Sequence, residues 1–387
     1  MIYLDHNATT PAAPEVREAM APWLAEEFGN PSSLHRPGRQ ARDAVERARA
    51  IVAALLNAKP EEVIFTSGGS ESNNMVLQSV LGRSDGKRHI ITSRVEHPSV
   101  LGTCRWLERQ GCRVTYVPVD RYGQVDPAAV EAAISDDTAL VSIMHANNEV
   151  GTLQPIAAIG AICRARGLRF HTDAVQSVGV LPLDVRAMGI DVLSIAGHKL
   201  YGPKGIGALY ARHDVPLRPL IHGGHQEEGR RAGTESVAAI VGLGCAAALA
   251  RGERTERATH IASLRDRFWE GLRARIEGMH RHGHPSDALP GTLALGMEGI
   301  EGESLVMALD QEGICASTGS ACSSGRMTPS HVLLAMSVPT AVLSGAVRFS
   351  LGSGNTSAEL DRVIEILPVL VKRLRAMNAT SAALPRS

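Results

Sequence analysis

Aromatic side chains are scarce. Phe, Trp and Tyr make up 3% of 387 residues, which leaves few rings on which nucleic-acid bases could stack. Net charge is missing as well: 40 Lys plus Arg stand against 40 Asp plus Glu, so no overall field draws the chain to a polyanion or an acidic membrane. Basic clusters such as Gly229-Arg230-Arg231 are too short to reverse that balance. No apolar run reaches the ~20 residues a spanning helix needs. The longest, Val237 to Ala250, is interrupted by Gly242 and Gly244. The opening "MIYLDHNATTP" lacks the basic start and apolar core of an export signal. The six cysteines (Cys104, Cys112, Cys163, Cys245, Cys315, Cys322) include no CxxC pair, which favours reduced cytoplasmic thiols over disulfide staples. These absences predict a cytoplasmic protein that binds neither nucleic acid nor membrane. At 44% hydrophobic it can bury a large core in two domains.

What is present is an alternation. Short runs rich in β-branched residues ("EVIFTS", "RHIITS", "TALVSIM", "LRFHTD", "DVLSIA", "GIGALYA") are interleaved with helical patterns at about 70–81, through Trp106, and at 156–166. Unbroken apolar strands between helices imply a mostly parallel sheet with helices on both faces. After about residue 255 come a charged amphipathic helix (Arg257 to Ile276), a helix near Glu303 to Leu309, the strand "AVRFSLG" and a last helix from Ala358 to about Met377. The expected division is a large domain over 15–255. A smaller α+β domain comprises 1–14 and 256–387. The tail "NATSAALPRS" is expected to fray, and "HRHGH" (His280 to His284) reads as a solvated loop in preference to a metal tract, so no metal site is assigned.

Ligands of open α/β sheets bind beyond the carboxyl ends of the strands. After "EVIFTS" comes Gly68-Gly69-Ser70-Glu71-Ser72, small residues opening a helix whose free N–H groups can hold an anion; an ordinary capping box built on Ser67 or Ser70 is the alternative. The segment is neither a Walker loop nor quite a hydrolase elbow, since Ser72 stands where the last glycine should be. After "RHIITS" comes His97. After "TALVSIM" come Asn147 and Asn148, either ligand-binding amides or an Asn-rich turn. "LRFHTDAVQ" supplies Asp173, which could simply cap a helix, and Gln176; "DVLSIAGHK" supplies His198 and Lys199. Each signal is weak alone. Together, five strand ends offer an anion cradle, a histidine, an amide, a carboxylate and a lysine. Pyridoxal 5′-phosphate needs that combination: a lysine for covalent attachment, a carboxylate for the ring nitrogen, donors for the phosphate and a partner for the ring hydroxyl. An interior position near a cation would help the lysine shed its proton.

The residues resemble the pyridoxal-phosphate-dependent cysteine desulfurases of the NifS/IscS family, within the class-V aminotransferase-like enzymes, and in particular the nitrogen-fixation branch, NifS. The likeness runs from "YLDHNATTP" and "FGNPSSLH" through "HTDAVQSVG", "GHKLYGPKG", "GGHQEEGRRAGTE" and "STGSACSSG" to "VRFSLG". It implies a fold-type I transferase. In that family Lys199 anchors the cofactor and moves protons, Asp173 pairs with the ring nitrogen, Gln176 bonds the ring hydroxyl, and His97 stacks on the ring and serves as acid or base. Gly69, Ser70 and His198 hold the phosphate. Thr234 resembles the phosphate contact donated by a second subunit, implying a homodimer. Asn148 and Arg348 match the pair that binds the substrate carboxylate, a task suited to a guanidinium. Cys322, in a polar, glycine-rich segment, becomes the nucleophile, whereas Cys245 in "GLGCAAALA" fits an inert core thiol. Two positions depart from the pattern or stay unassigned: Ala196 stands where relatives often carry a hydroxyl for the phosphate, and His6 has no assigned role.

The resemblance thus implies conversion of L-cysteine to L-alanine with a persulfide left on Cys322. An iron–sulfur scaffold such as NifU or IscU would accept the sulfur, in iron–sulfur cluster assembly or nitrogen fixation. Local cations would favour the Cys322 thiolate. Rival readings are a selenocysteine lyase or aminotransferase of the same fold, a cysteine hydrolase built on Cys322 and His97, and a cofactor-free sulfur carrier.

Overall fold

The computed structural model describes residues 1–318 and 329–382. Among these the strands, in chain order, are β1 (Ile2–Tyr3), β2 (Val63–Thr66), β3 (His89–Ser93), β4 (Arg113–Val117), β5 (Thr138–Ser142), β6 (Arg169–Asp173), β7 (Val192–Ala196), β8 (Gly207–Ala211), β9 (Met279–His282), β10 (Thr292–Met297), β11 (Ile314–Cys315) and β12 (Ala346–Ser350). The main sheet has the order β2-β8-β7-β6-β5-β3-β4. Strands β3 to β7 pair in parallel, whereas β8 is antiparallel to both β7 and β2. The reversal is forced by length. Gly197 to Ile206 is all that joins β7 to β8, and a parallel crossover takes roughly a dozen residues or more. Two reversals cancel, so β2, β7, β6, β5 and β3 point the same way and end along one edge.

Alternate residues of the strands feed opposite faces. Val63, Phe65, Ile91, Val141, Leu193 and Tyr210 enter one core, together with Val45, Val52 and Leu56 of the helix Arg36–Leu56 and Ile240 and Leu243 of the helix Val237–Arg273. Ile64, Ile90, Leu140, Val192 and Leu209 enter the other, against Met75 and Leu77 of the helix Gly69–Gln78 and Cys104 and Leu107 of the helix Pro98–Arg109. Period-2 projection with both faces covered explains why these strands read as continuous apolar runs. Strand β4 escapes such a reading because it begins exposed and lies at the sheet edge.

A separate core lies over the antiparallel sheet β12-β10-β9 and the parallel pair β1-β11. It joins Ile2 and Leu4 from the amino terminus to Leu293, Leu295, Val347 and Phe349 and to the helices Gly302–Gln311 and Ser357–Ala382. The helix Val237–Arg273 runs through both regions: Ala246 and Ala247 pack in the first, Leu264 and Phe268 in the second. Two styles of sequence are therefore two halves of one helix. Its first half is small and apolar because it lies against another helix, where a Cβ on Gly244 would stand 2.8 Å from the Ala48 Cβ.

Two other expectations are corrected. "HRHGH" is not a loop: His280 to His282 lie in edge strand β9, paired with β10, and only the residues from Gly283 leave it. The last helix does not end near Met377. It continues to Ala382, pinned by Arg375 donating to the carbonyls of Glu298 and Glu277 and by Asn378 donating to Gly299 O. No helix among the described residues is long and apolar enough to cross a membrane.

Candidate active site

A cavity of about 490 Å³ opens where the five strands end. Asn7, Gly69, Ser70, Asn73, His97, Asn148, Asp173, Gln176, Ala196, His198, Lys199 and Arg348 are among its lining. Nearly all the residues singled out by the sequence converge on it.

The helix Gly69–Gln78 begins right after β2, with Gly68 as its N-cap and no side chain bonding the first turn. The capping box considered above does not form. Glu71 instead accepts from the Ser67 amide and pairs with Arg231, contacts that hold its carboxyl below the usual range although burial opposes them. The helix start is left with free N–H groups and an exposed Ser70, the chemistry of an anion site. Glycine is required at 69, because a Cβ there would approach Val175 Cγ2 to 2.6 Å. His198 lines the same cavity and bonds Thr9 Oγ1 through Nδ1 at 3.1 Å. Burial, with Lys199 and Lys204 nearby, brings its pKa down to about 4, so it is neutral. Ala196 presents only a methyl group to this wall.

Asp173 ends β6, 5% exposed. It does cap locally, accepting from Val175 N at 3.0 Å, and its other oxygen accepts from Asn73 Nδ2 at 2.7 Å. Among the described residues no cation forms an ion pair with it. The same Asn73 amide donates to Ser99 Oγ at 2.9 Å, and Ser99 Oγ lies 2.8 Å from His97 Nδ1. His97 Nδ1 also accepts from Ser99 N as the N-cap of its helix, so the neutral ring carries its proton on Nε2. Burial lowers the His97 pKa, with Lys199 and His331 acting the same way and Asp173 opposing. Behind it lies the wholly buried Glu96, which accepts from Ser93 Oγ at 2.6 Å and from Met144 N; burial pushes its pKa up to about 8.

Lys199 sits at the centre. Its Nζ donates to Asn7 O and to Ala8 O, the latter at 2.7 Å. Burial and then Arg348 bring its pKa down to about 8, against the pull of Asp5 and Asp173. Gln176 donates to the same Asn7 carbonyl at 3.0 Å. The two asparagines separate in role. Asn147 is fully buried and holds its turn, donating to Val95 O and accepting from the amides of Glu149 and Val150, while Asn148 faces the cavity. Arg348 reaches in from β12. Its Nη1 donates to Asn148 O at 2.8 Å and its Nη2 to Asp5 at 2.7 Å, while its Nε is buried without a partner among the described residues.

Two nominated residues are not gathered here. Thr234 is exposed and absent from the lining. Cys322 lies outside the described residues. Asp5, Asn7, Asn73, Glu96 and Ser99 were missed by reading strand ends. His6 is packed between the rings of Tyr3 and Tyr201 and against Gly352, where a Cβ would collide with it. Among the described residues no cluster of His, Cys, Asp and Glu could hold a metal ion.

The donor set fits pyridoxal 5′-phosphate. A buried carboxylate without a cation suits a protonated ring nitrogen, a helix start suits a phosphate, and an amine lowered to about 8 suits an aldehyde. The family profile described as Aminotransferase class-V matches residues 2–363. The chain is 50% identical over 378 residues to the cysteine desulfurase IscS of Methanosarcina thermophila, covering 97% of this chain and 93% of that one. It is 49% identical over 381 residues to cysteine desulfurase 2 of Trichormus variabilis, covering 98% and 96%. A solved NifS-like protein superposes with a TM-score of 0.91 at 40% identity, over 96% of this chain and 100% of that one. A mostly parallel sheet closed by helices on both faces, the cavity at its strand ends and these likenesses lead to one assignment: the chain belongs to the class-V aminotransferase family, among its pyridoxal-phosphate-dependent cysteine desulfurases of the NifS/IscS type.

Proposed function

We propose that the cavity residues act on L-cysteine in named roles, yielding L-alanine while the sulfur joins Cys322. The observation that carries this reading is the convergence of Lys199, Asp173, His97 and Arg348 on one cavity. Bound there, pyridoxal 5′-phosphate supplies an aldehyde for an amine and a ring that draws electrons from the substrate α-carbon. Lys199 holds the cofactor and afterwards carries the α-proton. Asp173 keeps the ring nitrogen protonated, Gln176 bonds the ring hydroxyl, and Gly69, Ser70 and His198 hold the phosphate. Arg348 and Asn148 orient the substrate carboxylate. His97, which lines the same cavity, would face the ring and take the thiol proton of the substrate. The exchange balances: the carbon–sulfur bond of cysteine breaks, a sulfur–sulfur bond forms on Cys322, and the Cys322 proton replaces sulfur on the carbon.

We extend the reading to a homodimer. Thr234 is exposed in this chain and would complete the phosphate site of a second copy, and the solvent-facing Leu24, Phe28 and Leu34 give a surface for that contact. The sulfur acceptor is an iron–sulfur scaffold of the NifU or IscU kind, in the cytoplasm. The two-domain division, 15–255 against 1–14 with 256–387, belongs to the same proposal; the separate cores on either side of the helix Val237–Arg273 support it. Borohydride reduction of the yellow holoenzyme followed by peptide mapping tests the reading: the cofactor mass is expected on the peptide containing Lys199, and its attachment elsewhere, or a colourless protein, would refute it.

A further inference from the structure

The guanidinium of Arg348 is held by a residue more than 300 positions away in sequence. Asp5 lies on the segment after β1, where its backbone bridges to Ser350, two residues beyond Arg348. Its carboxylate accepts from Arg348 Nη2 at 2.7 Å, with the two side chains only 6% and 20% exposed for Arg348 and Asp5 respectively. The Asn148 carbonyl occupies Nη1. Two of the guanidinium nitrogens are thereby tethered, and the third, Nε, is buried with no hydrogen-bond partner among the described residues. The next turns of the same segment bring Asn7 O and Ala8 O onto Lys199 Nζ. Asp5 therefore stands beside two cations that line one cavity.

We infer that Asp5 is a positioning residue for substrate selection: it clamps Arg348 in the orientation that receives an α-carboxylate and offsets the repulsion between Arg348 and Lys199. The inference rests on reading Arg348 as the carboxylate-binding residue. A flexible guanidinium binds a carboxylate well only when its rotamer is already fixed, since the side chain otherwise gives up conformational freedom on binding. Charge-assisted tethers of this kind are strong in a site removed from water. The electrostatic part follows from what faces the Lys199 amine: Arg348 from β12, Asp5 and the carbonyls of Asn7 and Ala8 from the amino-terminal segment, Asp173 from β6, His97 from its helix cap and His198 beside it in the chain. Removing the Asp5 charge leaves Arg348 as a less compensated cation next to that amine, which lowers its pKa further.

Steady-state kinetics of Asp5→Ala and Asp5→Asn with L-cysteine, beside competitive inhibition by cysteamine, which lacks the carboxylate, test the clamp. Loss of a charge-assisted tether predicts that Asp5→Ala raises KM for L-cysteine about tenfold or more, with kcat changed by less than about threefold. Asp5→Asn, which keeps an acceptor, recovers part of the KM, and the cysteamine inhibition constant stays put in both. A second measurement needs no turnover: pH-dependent acylation of Lys199 in the cofactor-free chain, counted by mass spectrometry, shifts to lower pH in Asp5→Asn. An unchanged KM, an equal loss of cysteamine binding, or an unshifted Lys199 titration would overturn the inference. Arg348→Ala distinguishes the two levels: if it too leaves KM unchanged, the carboxylate reading itself is wrong.

Discussion

Asn73 uses both hydrogens of one side-chain amide, one on Asp173 and one on Ser99, and Ser99 in turn meets His97 Nδ1. Through this chain a single residue ties the Asp173 carboxylate to the His97 imidazole and fixes the proton of the imidazole on Nε2. Replacing Asn73 by Ala leaves Ser99 free to turn and Asp173 short of a partner. The expected outcome is a fall in kcat of about tenfold with a much smaller change in KM, read from steady-state rates. Equal losses in both would mean that Asn73 serves binding alone. Asp173, His97 and Lys199 were legible in the sequence because they directly follow apolar strands. Asn73 was not: it sits a turn inside a helix, in the wholly polar run Ser70 to Asn74 that carries no apolar period, and only the packing of that helix over the sheet turns it inward. Asp5 and Asn7 were hidden differently. Their partners are Arg348 and Lys199, and no local spacing signals contacts across most of the chain.

At the scale of elements, the carboxyl end of β3 carries a liability of its own. Glu96 has a folded pKa of about 8 against an ordinary value of 4.5, so the unfolded chain loses this proton first. A raised carboxyl contributes stability that is full below about pH 4.5 and fades as pH rises through about 8. Glu96→Gln, which cannot ionise, should flatten the decline between pH 6 and 8.5 in urea-unfolding midpoints; an unaltered slope would show that Glu96 is ionised in the native state. The helix Val237–Arg273 gives a second test. Ala in place of Gly244 pushes a methyl group against Ala48 and should cost about 1–3 kcal/mol by denaturant unfolding. A neutral result would mean that the two helices can separate freely. The strands of the main sheet other than the edge strand β4 were legible because both their faces are buried. The direction of β8 was not read, since it depends on the shortness of the β7–β8 connection, nor was the continuity of the long helix, whose halves answer to different neighbours.

For the whole molecule, pH acts from both sides. Burial holds His171 at about 3 and His145 at about 4, and burial with Arg113 nearby holds His89 at about 4. Each is bonded neutral to hydroxyls: His171 to Ser142 and Ser194, His89 to Thr138 and Thr115, His145 to Ser177. With folded values below the ordinary 6.5, the unfolded chain binds protons first, so stability falls as pH drops from about 6.5 toward 4. Unfolding midpoints should peak near neutrality, and a midpoint that stays level down to pH 4.5 would contradict the neutral assignment of these rings. The amino-terminal segment, meanwhile, joins β12 on one side and the Lys199 turn on the other, so both cores must be in place for the cavity to exist. The central claim is that sulfur leaves L-cysteine in that cavity and arrives on Cys322. One turnover with limiting L-cysteine measures it directly, by counting L-alanine and locating the added sulfur by peptide mass. The account predicts one alanine per active site, an extra sulfur atom on the Cys322 peptide, and neither product from Cys322→Ser. Full alanine yield from Cys322→Ser, or sulfur found on another cysteine, would contradict it.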